Sequence, residues 1–375
     1  MKDMNTENTI YSEAEEEDSS SLEAIDKPFD PKKIDITTKQ MTLDLILKRL
    51  RNNEVDLETF FQRGADLWDK TKQSRLIESI LIRLPLPAFY FDGSNDNKWL
   101  VVDGLQRLSS FKNFIIEKDE KKQLKLEQLE YLTQYNGFTF DRLPRGFQRR
   151  IEEHEITVYI INEGTPDEVK FNLFKRINTG GLILTTQEIR QALNQGIPAN
   201  FISELAKLEE FKVFKINPKR MLDKDFVNRF VAFYLFDYTN YRPELDDFLN
   251  NAMAALKKIH ETKRDEIKQD FIKAMVRSKK LFGEYAFRKR YELNSPRKSK
   301  INKALFEVWS VVLAKLKDYE FSTLVNKKAV FNHNFTEVMK NSTEFEKSIS
   351  TATGDPKNVN IRYASVLALV NKYIS

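Results

Sequence analysis

Residues 98–110 read KWLVVDGLQRLSS, and the change of character inside this stretch decides the fold. Trp99 to Val102 is a short apolar run of the kind that forms a buried strand. Asp103-Gly104 is a turn pair, and Gln106-Arg107 opens a new pattern in which Leu108, Phe111, Phe114 and Ile115 recur at helical spacing. The reading is strand, turn, helix over residues 98–118. Free N–H groups at a helix start favour anions, and an arginine there adds a planar fork for phosphate. An aspartate at the same strand end suits a magnesium ion or the orientation of water. Asp-Gly is also a common turn with no ligand at all.

On either side the same two periods alternate. Residues 70–84 (KTKQSRLIESILIRL) put Leu76, Ile80 and Leu84 on one helical face, and Pro85 and Pro87 end it. AFYF at 88–91 and EITVYII at 155–161 read as strands. Thr165-Pro166-Asp167-Glu168 and Thr185-Thr186-Gln187-Glu188 are two helix-opening signatures. Between them, Phe174-Lys175-Arg176-Ile177-Asn178-Thr179-Gly180-Gly181 sets cations beside a Gly-Gly loop whose amides suit an anion. The plainer reading is a helix–loop–helix corner with Asn178 as its cap. Nine of the eleven glycines fall between Gly64 and Gly196. The first half therefore reads as mixed strands and helices, and the second as successive helices at 201–212, 222–237, 244–259, 264–289, 299–317 and 359–373.

Composition bounds the chemistry. The chain has 375 residues and no cysteine, which excludes disulfides, thiolate metal sites and every cysteine nucleophile. Its three histidines are scattered, which argues against a histidine-rich metal centre. No apolar run approaches the length needed to span a bilayer and no secretory signal opens the chain, so the expected location is the cytoplasm, with no membrane partner. Residues 1–30 hold ten acidic side chains against Lys2 and Lys27, a net charge of −8, so the rest carries +13 of an overall +5. Residues 257–303 alone contain sixteen Lys/Arg and six Asp/Glu. Such a stretch tracks phosphates or is a solvated helix face. Its candidate DNA contacts are Lys279, Lys280, Arg288, Lys289, Arg290, Arg297, Lys298 and Lys300. The expected layout is a disordered acidic tail over 1–34, serving solubility rather than competing with nucleic acid, an α+β domain over 35–200 and a helical domain over 201–375.

Taken in order, Arg63 and Trp68, residues 76–87, Asp103 to Arg107, Phe174 to Gly181, and Glu188 to Arg190 resemble the N-terminal domain family of GmrSD-type modification-dependent restriction systems. Residues 219–235 resemble that family's arginine-plus-helix segment. The resemblance implies a ParB/sulfiredoxin-like fold over roughly residues 38–240, binding and hydrolysis of nucleoside triphosphates, and a role in defence against phage or foreign DNA. By position, Asp103, Gln106 and Arg107 become the hydrolysis site, with Asp103 as the ligand of Mg2+. Arg63, Gly104, Arg176, Asn178, Thr179, Gly180, Gly181 and Arg190 become nucleotide contacts. Leu105 stands where the family's signature has its first glutamine. Nothing resembles the histidine-centred motif of the partner nuclease, so a separate nuclease or effector protein is expected to cut. Three readings stay open. They are a triphosphatase coupled to DNA engagement, a nucleotide or DNA sensor without turnover, and a metal-dependent nuclease using Asp103 with Asp92 or Glu188. Self-association into a homo-oligomer is left open too.

Overall fold

The computed structural model describes residues 11–12, 14–15, 31–57, 68–177, 184–293 and 298–374. The chain forms two compact units, one of residues 29–184 and one of residues 185–375 with residues 1–28. The first carries a five-stranded mixed sheet and the second is helical, an α+β protein as the glycine distribution suggests.

The sheet unit comprises β1 (Ile36–Thr42), α1 (Leu43–Arg51), β2 (Val55–Asp56), α2 (Lys70–Leu81), β3 (Phe89–Asp92), β4 (Trp99–Asp103), α3 (Leu105–Phe111), α4 (Arg145–Glu152), β5 (Glu155–Ile161) and α5 (Asp167–Ile177). The strand order is β1-β5-β3-β4-β2. β1 runs antiparallel to β5, β3 parallel to β5 and antiparallel to β4, and β2 parallel to β4. Strand alternation assigns the faces. Phe89, Phe91, Trp99, Val101, Val158 and Ile160 join one core with Leu47 of α1, Ile77 and Ile80 of α2, Leu108 of α3 and Ile151 of α4. Leu100, Val102 and Ile161 are buried on the opposite face, where α5 packs against β4.

Local chemistry sets the ends. The Asp69 side chain caps α2 by accepting the Lys72 N–H at 2.8 Å. α2 stops at Leu81 rather than at residue 84, because Arg83 takes the left-handed conformation (φ 67°). α3 continues into a π-helical turn at Lys112–Ile116. The elements β1, α1 and α4 had no sequence expectation.

The helical unit comprises α6 (Thr186–Leu193), α7 (Ile197–Ala206), α8 (Glu209–Lys212), α9 (Leu222–Leu235), α10 (Leu245–Leu256), α11 (Glu261–Phe282), α12 (Lys303–Lys315), α13 (Asp318–Asn326), α14 (Lys328–Asn341), α15 (Thr343–Ser350) and α16 (Pro356–Ile374). The helix expected over 264–289 ends at Phe282, where Gly283 turns the chain with φ 61°. α12 is buried from Ala304 to Ala314 and contacts α9, α11, α15 and α16. A helix apolar nearly all round belongs at the centre of a bundle. Its Glu307 is fully buried and held by Arg362 Nε at 3.0 Å and Arg229 at 3.5 Å. No helix among the described residues is long and apolar enough to cross a membrane.

Within the stretch read as an acidic tail, Ser12 and Ala14 pair with the helical unit. Ser12 bridges Ile216 and Ala14 bridges Ile301, both in parallel sense.

Candidate functional site

Asp103 ends β4 and pairs across the ladder with Tyr90 of β3. Gly104 then turns the chain with φ 99°, a conformation that favours glycine. Space demands glycine as well, since a Cβ there would lie 2.4 Å from the Phe89 ring. The Leu108 N–H donates to the Gly104 carbonyl at 2.9 Å, closing the first turn of α3. The strand–turn–helix expected over 98–118 is thus present.

Arg107 sits one turn into α3 and folds back toward the sheet, 8% exposed. Its guanidinium donates to the Pro87 carbonyl, to the Ala88 carbonyl at 3.1 Å, and to Asp103 Oδ2 at 2.8 Å. It lies over the Phe89 ring, 4.2 Å from the centroid. Burial pushes its pKa down from the usual arginine value, and the neighbouring Asp103 opposes that. One side chain therefore ties the start of β3, the end of β4 and the first turn of α3 together. The Asp103 side chain keeps 30% exposure and remains open to solvent on one side.

Gln106 Oε1 accepts the backbone N–H of Trp68 at 3.2 Å. The Trp68 carbonyl accepts from the buried Gln73 amide at 2.8 Å, and Gln73 accepts from Asn113 at 3.2 Å. This chain of amides fixes Trp68 to the opening of α3. Leu105 is partly buried against the apolar core. Arg63, five residues before Trp68, lies outside the described residues, as do Asn178, Thr179, Gly180 and Gly181.

The second motif reaches the same sheet through α5. Lys170 of α5 is 5% exposed, with its ammonium 3.5 Å from Asp92 at the end of β3 and hydrogen-bonded to Ser94. Arg176 lies six residues further on, about 9 Å along the helix at 1.5 Å per residue, and is exposed. Tyr90 and Tyr159, neighbours in register on β3 and β5, stack with centroids 4.8 Å apart, and Tyr90 is the ladder partner of Asp103. Burial raises the Tyr90 pKa, with Tyr159 and Asp103 adding to it. This tyrosine pair was not anticipated. Its signal is the alternation in FYFD and TVYII, but only the β3–β5 pairing brings the rings together.

Arg190 belongs to the helical unit, 1% exposed, with its guanidinium on Gln187 at 2.9 Å, on Asp225 at 3.5 Å and on Asp246. That interior charge cluster accounts for the residue without a ligand. Lys303 at 2.9 Å and Arg229 at 3.6 Å complete the cations around Asp225, and its carboxyl is held far below the usual range. Burial alone would raise that value, and Lys303, Arg229 and Arg190 outweigh it. Glu188 closes a capping box with Thr185 and pairs with Arg220 at 2.9 Å. Among the described residues no three His, Cys, Asp or Glu side chains converge as a metal site.

The candidate DNA contacts are mostly engaged within the protein. Lys279 and Lys298 both pair with Glu284, the latter at 3.3 Å. Arg290 donates to the Leu293 carbonyl and covers the Tyr285 ring. Arg288 donates to the Ser299 carbonyl and, at 2.8 Å, to Ser12 Oγ, while Lys289 pairs with Glu15 at 3.0 Å. Lys280 and Lys300 are exposed, and Arg297 lies outside the described residues.

A cavity of about 480 Å³ is lined by Arg83, Pro85, Arg150, Glu153, His154 and Glu155, and one of about 390 Å³ lies between Tyr291–Leu293 and α14.

Residues 44–195 match the family model of the GmrSD restriction endonuclease, N-terminal domain. The match runs from α1 through α6 and bears out the resemblance carried by the ordered motifs over that segment. No curated protein and no solved structure matches the chain.

Proposed function

We propose, taking the restriction-family match of residues 44–195 as premise, that the sheet unit binds a nucleoside triphosphate at the Asp103–Arg107 turn. Its nucleotide state then governs how the helical unit engages DNA, with cutting left to another polypeptide. The observation that supports this most is the Asp103–Arg107 pair itself, 2.8 Å long at the mouth of a helix that opens on a left-handed glycine. An incoming phosphate competes with Asp103 for the Arg107 guanidinium, a planar fork suited to phosphate oxygens. Asp103, released from the arginine, fits the role of a Mg2+ ligand, because that ion needs one or two carboxylates beside phosphate oxygens. Arg176, exposed at the end of α5, supplies a second cation. In this arrangement the protein positions and neutralises, which is most of what phosphoryl transfer asks of it.

A sensor without turnover is the second reading, and two observations favour it. Leu105 places an apolar side chain where the family's signature has a glutamine, and the remaining amide, Gln106, is committed to Trp68. The experiment is phosphate release across a panel of triphosphates, with and without DNA, alongside direct binding. Arg176→Ala tests binding with little effect on folding, because that side chain is exposed. Asp103→Asn keeps a partner for Arg107 and is expected to retain binding while losing release. Binding without release in the unmodified protein selects the sensor. No binding of any triphosphate removes the proposal.

A further inference from the structure

We infer that Ser12, Ala14 and Glu15 form a built-in competitor for the DNA backbone, seated on Arg288 and Lys289 and displaced when DNA binds. The inference rests on the reading of residues 279–300 as a phosphate-tracking strip. Three described residues of the most acidic part of the chain, Ser12, Ala14 and Glu15, lie on its most basic part. The Ser12 N–H donates to the Lys215 carbonyl at 2.6 Å and the Glu15 N–H to the Ile301 carbonyl at 2.9 Å. The other side of Ile301 pairs with Arg288 in antiparallel sense. Ser12 therefore docks on 215–216, and Ala14 with Glu15 on 301. Side chains repeat the match. Ser12 Oγ accepts from Arg288 at 2.8 Å, and the Glu15 carboxylate takes Lys289 at 3.0 Å and Asn302 Nδ2 at 2.8 Å. With Glu15 in place the Lys289 side chain is 14% exposed, and Ala14 rests on the helical core.

These contacts are specific and few. Isolated bridges and one partly exposed ion pair belong to the low-stability end of a structure, open on short timescales and weakened by salt. Tethering compensates, because a segment on the same chain acts at an effective concentration near millimolar. Glu15 and a backbone phosphate want the same ammonium, and both cannot have it. The docked state thus lowers affinity for DNA, and DNA binding frees the N-terminal segment.

The chain has no cysteine, so the pair Ala14→Cys with Ile301→Cys introduces its only two thiols. Bridged residues lie roughly 5 Å apart, within the span of a disulfide. Mixed-sequence duplex DNA is titrated against the oxidised and the reduced protein at about 0.1 M salt. The oxidised form is expected to bind at least tenfold more weakly, with recovery on reduction. In the full chain, Glu15→Gln frees Lys289 without touching the core and is expected to tighten binding about eightfold, the worth of roughly one added phosphate contact at that salt. Equal affinity of the oxidised and reduced forms overturns the inference while leaving the DNA reading in place. Failure of the two thiols to cross-link in the folded protein overturns the docking itself. No binding by any form at low salt removes the DNA reading, and the inference with it.

Discussion

Replacing Arg107 by alanine separates a residue that holds the fold from one held ready for a ligand. The side chain satisfies the carbonyls of Pro87 and Ala88, covers the Phe89 ring and pairs with Asp103. Each carbonyl left without its donor costs about 1 kcal/mol, since Pro87 is exposed and water replaces part of the bond. Loss of the ring contact costs about 1 kcal/mol more. The ion pair adds about 0.5 kcal/mol after discounting for the 30% exposure of the Asp103 side chain. Arg107→Ala is therefore expected to destabilise the sheet unit by about 3.5 kcal/mol. The inward turn of the side chain makes Arg107 part of the fold as well as the hydrolysis residue that the resemblance implies. Hydrogen exchange at the β4 amides Val101 and Val102 reads the sheet unit without interference from the helical one. An exchange stability within about 0.5 kcal/mol of the parent refutes the reasoning and returns Arg107 to the surface as a ligand residue.

Gly104→Ala is expected to cost about 3 kcal/mol in the same assay, because alanine is strained at φ 99° and its Cβ meets the Phe89 ring. Partial rescue by Phe89→Leu checks the steric half. Arg362→Met leaves the buried Glu307 short of its main partner and is expected to destabilise the helical unit by about 3 kcal/mol or more, measured by Trp309 fluorescence during urea unfolding. Acidification should loosen residues 124–132 early. Burial alone would raise the Glu78 pKa, but the N–H groups of Glu130, Leu132 and Tyr131, with Arg75 nearby, hold it below the usual value. A carboxyl depressed by folding stabilises above its unfolded pKa and loses that contribution as pH falls through the folded one. Proteolysis in that loop should rise from pH 5 toward pH 3 (order-of-magnitude bounds from ordinary carboxylates) and become insensitive to pH in Glu78→Gln.

What the sequence disclosed was local. The strands at 89–92, 99–103 and 155–161, the helix from Lys70 and the turn at Gly104 follow from period and glycine, each readable within a dozen residues. The order β1-β5-β3-β4-β2 was not readable, because its pairings join residues up to 125 positions apart, as in Ile36 with Ile161. Arg107 was recognisable as an arginine at a helix start. Whether its fork points outward or at the Pro87 and Ala88 carbonyls depends on where β3 begins. Arg190 illustrates the same limit, since its counter-charges Asp225 and Asp246 arrive 35 and 56 residues later. The acidic N-terminus was visible as composition. That Ser12 and Glu15 find open backbone at 215 and 301 is a property of the folded helical unit.

The division of the chain between Leu184 and Thr185 falls inside the family match, which continues to residue 195. Homology and architecture therefore disagree about where to cut. A fragment trimmed to the matched segment would carry α6 away from Asp225, Asp246 and Arg220, leaving an arginine evolved for the interior stranded in water and a helix without its seat. Recombinant work on the sheet unit is better ended before Thr185, or else carried out on the entire polypeptide.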